Sequence, residues 1–274
     1  MKGEEKLFGK KEVTEIFIDY LLAQSSLLNG ASSQPFLEER TKDLKVVLGS
    51  ICQTATSIGI LSKHSFSNEA TMLARSLVEK IINFCFLTVC DEQYYLDYMN
   101  YSLQKIYRKL ERNIQVGDSQ VSFKYQGKDS ASIPKDMQDA IQKFTSTKGK
   151  ERTHWTQLTL DEMLNILKEK TKINVPIFML AKLIIYEDAS EALHGTFYGC
   201  AFHTGYHLPE FKRDDKKAAG EREQKNLSLL CVQSGGLIDE LLKHLLNYED
   251  IKEFADKSKE NTKRTTKLMK SVIK

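Results

Sequence analysis

Apolar side chains recur at helical spacing along almost the whole chain, and this periodicity most constrains the fold. It predicts, among others, a central helix over about 67–90 whose apolar coverage is broad enough for the middle of a bundle. Only 4 prolines and 14 glycines occur in 274 residues, below the average usage of about 5% and 7%. Sandwiches and barrels need many turns built from these residues, so we expect an all-α fold, a single multi-helix bundle.

We expect one helical domain over residues 1–274, interrupted by a polar insertion at about 116–150. Glycines and many polar residues break the helical pattern there, and one short helix is expected from Lys135 to Phe144. Alternating apolar residues also favour a short hairpin arm: Val121, Phe123 and Tyr125. The sequence leaves open whether the insertion is a lid, a dimer arm or a disordered excursion.

Residues 250–274 are expected to form a basic C-terminal helix or tail. From Lys257 onward this region carries seven Lys or Arg against one Glu. A solvated or frayed end is one interpretation, and non-specific contact with phosphates is the other. The formal net charge of the whole chain is +3, which is too small to indicate nucleic-acid binding by itself.

No stretch has the pattern of a signal peptide or a membrane span. The start of the chain is charged, and the most apolar run, residues 81–90, ends at Asp91, well short of about 18 apolar residues. The five cysteines are odd in number and scattered, mostly inside apolar helical patterns. We therefore expect a cytoplasmic protein in a reducing compartment, with no membrane partner.

Two charged residues lie on the predicted central helix. Arg75 and Glu79 are four residues apart, so they share a face and can pair. Their neighbours Leu73, Leu77 and Ile81 indicate a buried setting, where a charge must be paired or must bind a ligand. Two interpretations follow: a buried ion pair that fixes helix register, or half of a polar site inside the bundle.

A later helix carries a second polar stripe around a histidine. Ser190 and His194 are four residues apart, and Glu187 and Glu191 lie on the same face. Gly195 follows directly and is expected to allow close approach by another helix or a ligand. A histidine among carboxylates can act as general base or acid near neutral pH. The alternative is a histidine whose hydrogen bonds are satisfied in the core or an interface.

Three further residues have the spacing of half a zinc site: Cys200, His203 and His207. His194 could supply a fourth ligand after folding, which makes a metal-dependent hydrolase a third hypothesis. Gly205 indicates an irregular chain here rather than a rigid helix, so a polar rim without metal is preferred. We accordingly expect no bound metal and no cofactor.

The segments LARSLVEKIINFCFL and YEDASEALHGTFYG together resemble a bacterial helical family, domain of unknown function 5677. Its members share an Arg-three-residue-Glu helix followed by apolar residues, and a later Ser-three-residue-His-Gly helix. The residues that match these two patterns are Arg75 and Glu79, then Ser190, His194 and Gly195. The resemblance extends from Leu44 to about Leu246.

That family is similar in turn to the higher-eukaryotes-and-prokaryotes nucleotide-binding (HEPN-like) helical domains, many of them metal-independent ribonucleases of toxin and phage-defence systems. Their active site joins an Arg and a His across a dimer, which implies a homodimer here. The resemblance implies that Arg75 stabilises the phosphorane, Glu79 orients Arg75, and His194 moves the proton of the ribose 2′-OH. In those domains the Arg precedes the His by four to six residues, and no Arg of this chain is followed by a His at that spacing.

The leading hypothesis is an effector or toxin-like subunit of a bacterial anti-phage defence or toxin–antitoxin system. It would act on RNA or a nucleotide, with Arg75 and Glu79 facing Ser190 and His194. The alternative is a non-catalytic protein-binding module in which these four residues form a buried structural network. In that case the tyrosine-rich fourth helix would contact a partner protein, because aromatic residues are common in such contacts. That partner could belong to a defence system.

Overall fold

The computed structural model describes residues 8–125, 133–205 and 215–273, and most of them are helical. The first half of the chain forms α1 (Lys11–Ser32), α2 (Glu39–Asp43), α3 (Lys45–Lys63), α4 (Ser67–Val89) and α5 (Glu92–Lys109). A hairpin of β1 (Glu111–Val116) and β2 (Ser119–Lys124) follows, and then α6 (Lys135–Lys143). The second half forms α7 (Leu160–Lys170), α8 (Val175–Ala181), a π-helical turn (Lys182–Tyr186), α9 (Glu187–Leu193), α10 (Phe197–Ala201), a 3-10 turn (Phe202–Thr204), α11 (Lys216–Leu245) and α12 (Lys252–Ile273).

This architecture confirms the all-α prediction. Local signals set several helix ends as expected. Pro176 stands in the first turn of α8, where its missing N–H is not needed. Asp215 caps α11, since its side chain accepts a hydrogen bond of 2.9 Å from the Ala218 N–H.

The described chain divides into two compact units. Residues up to Val89 and from Leu160 onward form the first unit, and Cys90–Thr159 form the second. The polar insertion expected at 116–150 lies inside the second unit, which is larger because it also includes α5.

The first unit is built around a ring of four helices. Helices α1 and α4 each contact both α3 and α11. Fully buried aliphatic side chains fill the interior, among them Leu21 from α1, Ile58 from α3, Leu77 from α4 and Leu241 from α11. Each such side chain contributes about 1.5–3 kcal/mol of burial free energy, so the ring is the main source of stability in this unit.

Two layers cover opposite sides of the ring. The basic helix α12 packs on α1, whereas α7 and α9 pack on α4. The exposed lysines and arginine of α12 therefore lie across the ring from α9.

Helix α3 is the one described helix that is long and apolar enough to cross a membrane, with a mean hydropathy of 1.2. It contacts α1 and α4 within the first unit. A single helix of this kind does not distinguish a membrane span from a core helix of a soluble protein.

The second unit is held together by its tyrosine-rich helix. The ring of Tyr98 lies edge-on to that of Trp155 at 5.4 Å, and the ring of Tyr101 lies edge-on to that of Phe144 at 5.2 Å. The hydroxyl of Tyr101 also donates a hydrogen bond to the Thr153 carbonyl at 2.7 Å. These two half-buried tyrosines therefore make contacts inside their own unit, and the contact of this helix with a partner protein stays a prediction.

Candidate functional site

The two sequence segments singled out above meet in the first unit, where α9 and the π-helical turn before it pack on α4. One helical stretch runs from Val175 to Leu193, and its backbone hydrogen bonds change to the i→i+5 pattern of a π-helix at Lys182–Tyr186. Such π turns are rare and occur frequently at functional sites. Tyr186 ends this turn and faces α4.

Arg75 is the centre of the contact between α4 and the π turn. Its Nε donates to Glu79 Oε1 at 3.2 Å, one helical turn away, and its Nη2 donates to the Tyr186 hydroxyl at 3.2 Å. The guanidinium carbon lies 4.4 Å from the centroid of the Tyr186 ring, a cation–π contact. Arg75, Glu79 and Tyr186 thus form one cluster, which we call the Arg75 site.

The charges of the Arg75 site reinforce one another. Partial burial lowers the pKa of Arg75, but hydrogen bonding to Glu79 and the interactions with Tyr186 outweigh it and raise the pKa above its ordinary value. Burial raises the pKa of Tyr186, and the Glu79 carboxylate raises it further. At neutral pH Arg75 is therefore cationic and Tyr186 keeps its proton.

One face of α4 carries polar atoms without a hydrogen-bond partner in the described residues. The Nη1 atom of Arg75 is buried and has none. The same holds for the Oδ1 atoms of Asn68 and Asn83, which lie on the same side of this helix. Asn68 is held by its Nδ2, which donates to the Cys200 carbonyl at 3.1 Å. We call Asn68, Arg75 and Asn83 the stripe. Buried groups of this kind are uncommon in native proteins, so the stripe is the strongest sign of a ligand here.

His194 lies at the exposed C-terminus of α9. The N–H of Gly195 donates to the Ala192 carbonyl, and the N–H of Thr196 donates to that of Glu191. This pair of bonds is a Schellman motif, in which the residue after the cap adopts the left-handed conformation. Gly195 has φ +65, so the His-Gly pair is the end of a helix.

No described helix approaches Gly195 closely, because a Cβ there would meet no described atom within 4 Å; approach by a ligand stays a prediction. The close approach is at Gly199, where a Cβ would lie 2.2 Å from the carbonyl carbon of Glu191. Thr196 makes this tight turn between α9 and α10 possible, since its hydroxyl accepts from the Gly199 N–H at 3.0 Å.

The exposed side of α9 is acidic rather than basic. Asp188 accepts a hydrogen bond of 2.8 Å from the Tyr198 hydroxyl, and Glu191 accepts one of 2.9 Å from Thr196. Burial, with Asp188 next in importance, raises the pKa of Tyr198 to about 12. Glu187 adds a third carboxylate to the exposed side of α9.

The structure brings Arg75 and Glu79 together, but Tyr186 takes the place expected of Ser190 and His194. The hydrogen bonds of Arg75 to described residues go only to Glu79 and Tyr186. From Tyr186 to His194 the helix axis advances by about 12 Å. A four-residue site within one chain therefore stays a prediction. Tyr186 precedes Ser190 by four residues, so the helical spacing that singled out Ser190 could also have singled out Tyr186.

The proposed metal ligands are only partly described. Cys200 is exposed, and the Nδ1 atom of His203 is buried without a hydrogen-bond partner among the described residues. His207 lies outside the described residues. Within 8–125, 133–205 and 215–273, no group of three or more His, Cys, Asp or Glu side chains could hold a metal ion.

Comparison with known proteins identifies a family. The model of DUF5677, a family of unknown function, matches residues 45–208, more than half of the chain. No curated protein and no solved structure matches. The matched span runs from α3 through the π turn and α9, and it contains the whole Arg75 site together with His194. The resemblance inferred from the two motifs is thus confirmed, and the chain belongs to the family of unknown function DUF5677.

Proposed function

We propose that the Arg75 site binds a phosphate group of RNA or a nucleotide. The observation that carries this proposal is the buried Nη1 atom of Arg75, which has no partner among the described residues. An unmade hydrogen bond of a buried group costs about 1–3 kcal/mol. A guanidinium presents its donors in a planar fork that matches phosphate oxygens. A phosphate placed there would satisfy Nη1, with Glu79 and Tyr186 holding the fork in position.

The unpartnered oxygens of Asn68 and Asn83 favour an oligonucleotide over a free phosphate. Amide oxygens accept hydrogen bonds, and nucleobases supply exocyclic N–H donors. The stripe from Asn68 to Asn83 is about 22 Å long, which exceeds one nucleotide. The preferred ligand is therefore single-stranded RNA with one phosphate on Arg75.

His194 is proposed as the group that moves a proton during cleavage of the bound RNA. Its exposure at the end of α9 leaves the imidazole accessible to a substrate. A metal-independent ribonuclease of this kind, in a cytoplasmic bacterial defence or toxin system, is the role that the similarity to HEPN-like domains supports. Those domains join an Arg and a His across a dimer, so His194 of a second copy would complete the Arg75 site.

The binding proposal is tested by fluorescence anisotropy with a labelled single-stranded RNA. We expect Arg75→Ala to weaken binding at least about 10-fold, the effect of losing a charged hydrogen-bond pair. Arg264→Ala is the matched control, because Arg264 is an exposed arginine on α12 across the ring. Equal affinity of Arg75→Ala and wild type would refute the proposal. A loss confined to Arg264→Ala would move RNA binding to the basic helix.

Cleavage is tested separately with the same RNA. His194→Ala is expected to abolish cleavage while leaving RNA affinity and melting temperature unchanged. His154→Ala removes another exposed histidine, from the second unit, and is expected to have no effect. If cleavage survives in His194→Ala, the role assigned to His194 is wrong.

A second candidate, a non-catalytic module with a structural Arg75 network, is favoured by a specific observation. Arg75 bonds both Glu79 and Tyr186, and so fastens the π turn to α4. The side chains of Arg75 and Glu79 are 21% and 37% exposed. Removing these contacts should therefore lower the free energy of unfolding by about 1–2 kcal/mol, well below the loss expected for a fully buried pair. A loss of RNA binding in Arg75→Ala with an unchanged melting temperature would exclude this candidate.

A further inference from the structure

The β1–β2 hairpin of the second unit has one apolar face and one polar face. The register pairs Ile114 with Val121 and Arg112 with Phe123. Because side chains alternate along a strand, the apolar residues share one side: Ile114, Val116, Val121, Phe123 and Tyr125. The opposite side carries only polar residues: Glu111, Asn113, Gln115, Gln120, Ser122 and Lys124.

The whole apolar face is exposed. Its five apolar residues have exposed fractions between 57% and 73%. Together they present about 650 Å² of surface, above the largest apolar patch of a typical monomer. An isolated two-stranded hairpin is also only marginally stable in water. A hairpin with this pattern needs a partner surface to cover the apolar side.

We propose that the apolar hairpin face packs against the same face of a second copy of this chain. Complete burial of two such faces would remove about 1,300 Å² in total, at the lower end of the range of stable specific interfaces, about 1,200–2,000 Å². A twofold arrangement needs a surface that complements itself, and a strip of five apolar side chains with Arg112 and Ser119 at its two ends meets this condition.

The charges at the two ends of the hairpin fit the same arrangement. Arg112 lies at the base of the face, and Asp118 lies in the turn at its tip. When two hairpins pack antiparallel about a twofold axis, the base of one meets the tip of the other. Each Arg112 then lies near the Asp118 of the other copy, so opposite charges flank the apolar centre at both ends.

The test is the oligomeric state of the full chain by analytical ultracentrifugation from about 1 to 100 µM. We expect a wild-type dimer, which Val121→Glu weakens at least about 100-fold by placing a charge in the centre of the interface. The matched control is Ser122→Glu, which adds the same charge on the polar face of the same strand and is expected to leave the dimer intact. Phe123→Ser, which removes apolar area without adding charge, is expected to weaken the dimer as well.

A second measurement follows the hairpin itself. Amide hydrogen exchange over residues 111–124 is expected to slow with rising wild-type concentration and to be independent of concentration in Val121→Glu. A wild-type monomer at 100 µM, a Val121→Glu dimer as tight as wild type, or equal dissociation by Ser122→Glu would each overturn the proposal. The comparison of Val121→Glu with Ser122→Glu tests the hairpin face alone. A dimer formed through another surface, as the proposed function could use, would leave Val121→Glu as tight as wild type and would overturn only this proposal.

Discussion

The buried histidine of α11 gives a quantitative prediction about stability and pH. His244 is 2% exposed, and its Nε2 lies 2.7 Å from the Thr88 hydroxyl. Thr88 has one proton, which it donates to the Cys85 carbonyl at 2.7 Å, so the neutral ring donates Nε2–H to Thr88. Nδ1 is left as a buried lone pair without a partner in the described residues. Protonation would create a buried N–H with no acceptor.

Burial accordingly lowers the pKa of His244 from 6.5 to about 4. Between these values the unfolded chain binds a proton that the folded chain excludes, so stability falls as the pH falls. The loss begins near pH 6.5, is complete near pH 4, and amounts to about 3 kcal/mol. Above pH 6.5 both states hold a neutral His244 and this contribution does not change with pH.

The assay is urea unfolding of wild type and His244→Phe at several pH values between 7.5 and 4. Far-UV circular dichroism reports mainly on the helices of the first unit, whereas the single tryptophan, Trp155, reports on the second unit. His244→Phe is expected to be less stable than wild type at pH 7.5 and to lose about 3 kcal/mol less on acidification. His64→Gln, at an exposed histidine of the same unit, controls for the removal of a histidine elsewhere on the molecule.

Parallel pH profiles for wild type and His244→Phe would refute this reasoning. They would mean that His244 gains a proton acceptor in the folded state or becomes hydrated before unfolding. A free energy of unfolding of wild type that falls as the pH rises above 6.5 would also contradict it, because the pKa of His244 in the folded state would then be raised, not lowered.

Three further predictions concern the turn after α9 and the cysteines. Gly199→Ala should destabilise the chain by about 3 kcal/mol or more, measured by urea unfolding, because its Cβ would strike the Glu191 backbone. Gly195→Ala should cost only about 1 kcal/mol, because its Cβ has space and only the left-handed φ is strained; equal losses for both would contradict this. Thiol titration of the native chain with Ellman's reagent should label Cys200 fast and the other four cysteines only on unfolding, since burial raises the pKa of Cys231 to about 12. Fast labelling that persists in Cys200→Ser would refute that assignment.

Much of the fold follows from the sequence because its signals are local. The apolar period of α4 gave its extent to within about one residue at the C-terminus, and alternation at Val121, Phe123 and Tyr125 indicated the hairpin. The pairing of Arg75 with Glu79 followed from their spacing of four on a helix. These features depend on residues close together in the chain.

The partner of Arg75 depends on geometry that spacing alone does not contain. The π turn at Lys182–Tyr186 inserts an extra residue per turn, so it rotates the residues after it relative to those before it. Tyr186, the last residue of this turn, bonds Arg75 on α4, whereas His194 lies exposed at the end of α9. Periodicity likewise does not say which polar atoms remain unpaired, so the stripe containing Asn68 and Asn83 could not be found from the sequence.

The order of the helices has a consequence for how the protein is made. Helix α11 completes the ring, and it begins about 130 residues after the end of α4. Synthesis of those residues takes roughly 6–26 s at ordinary rates of translation. During that time the sides of α1 and α4 that will contact α11 are exposed, so we expect the nascent chain to bind chaperones. The family-matched span, residues 45–208, contains neither α1 nor α11. Expressed alone, that span would keep two helices of the ring without their neighbours and would aggregate.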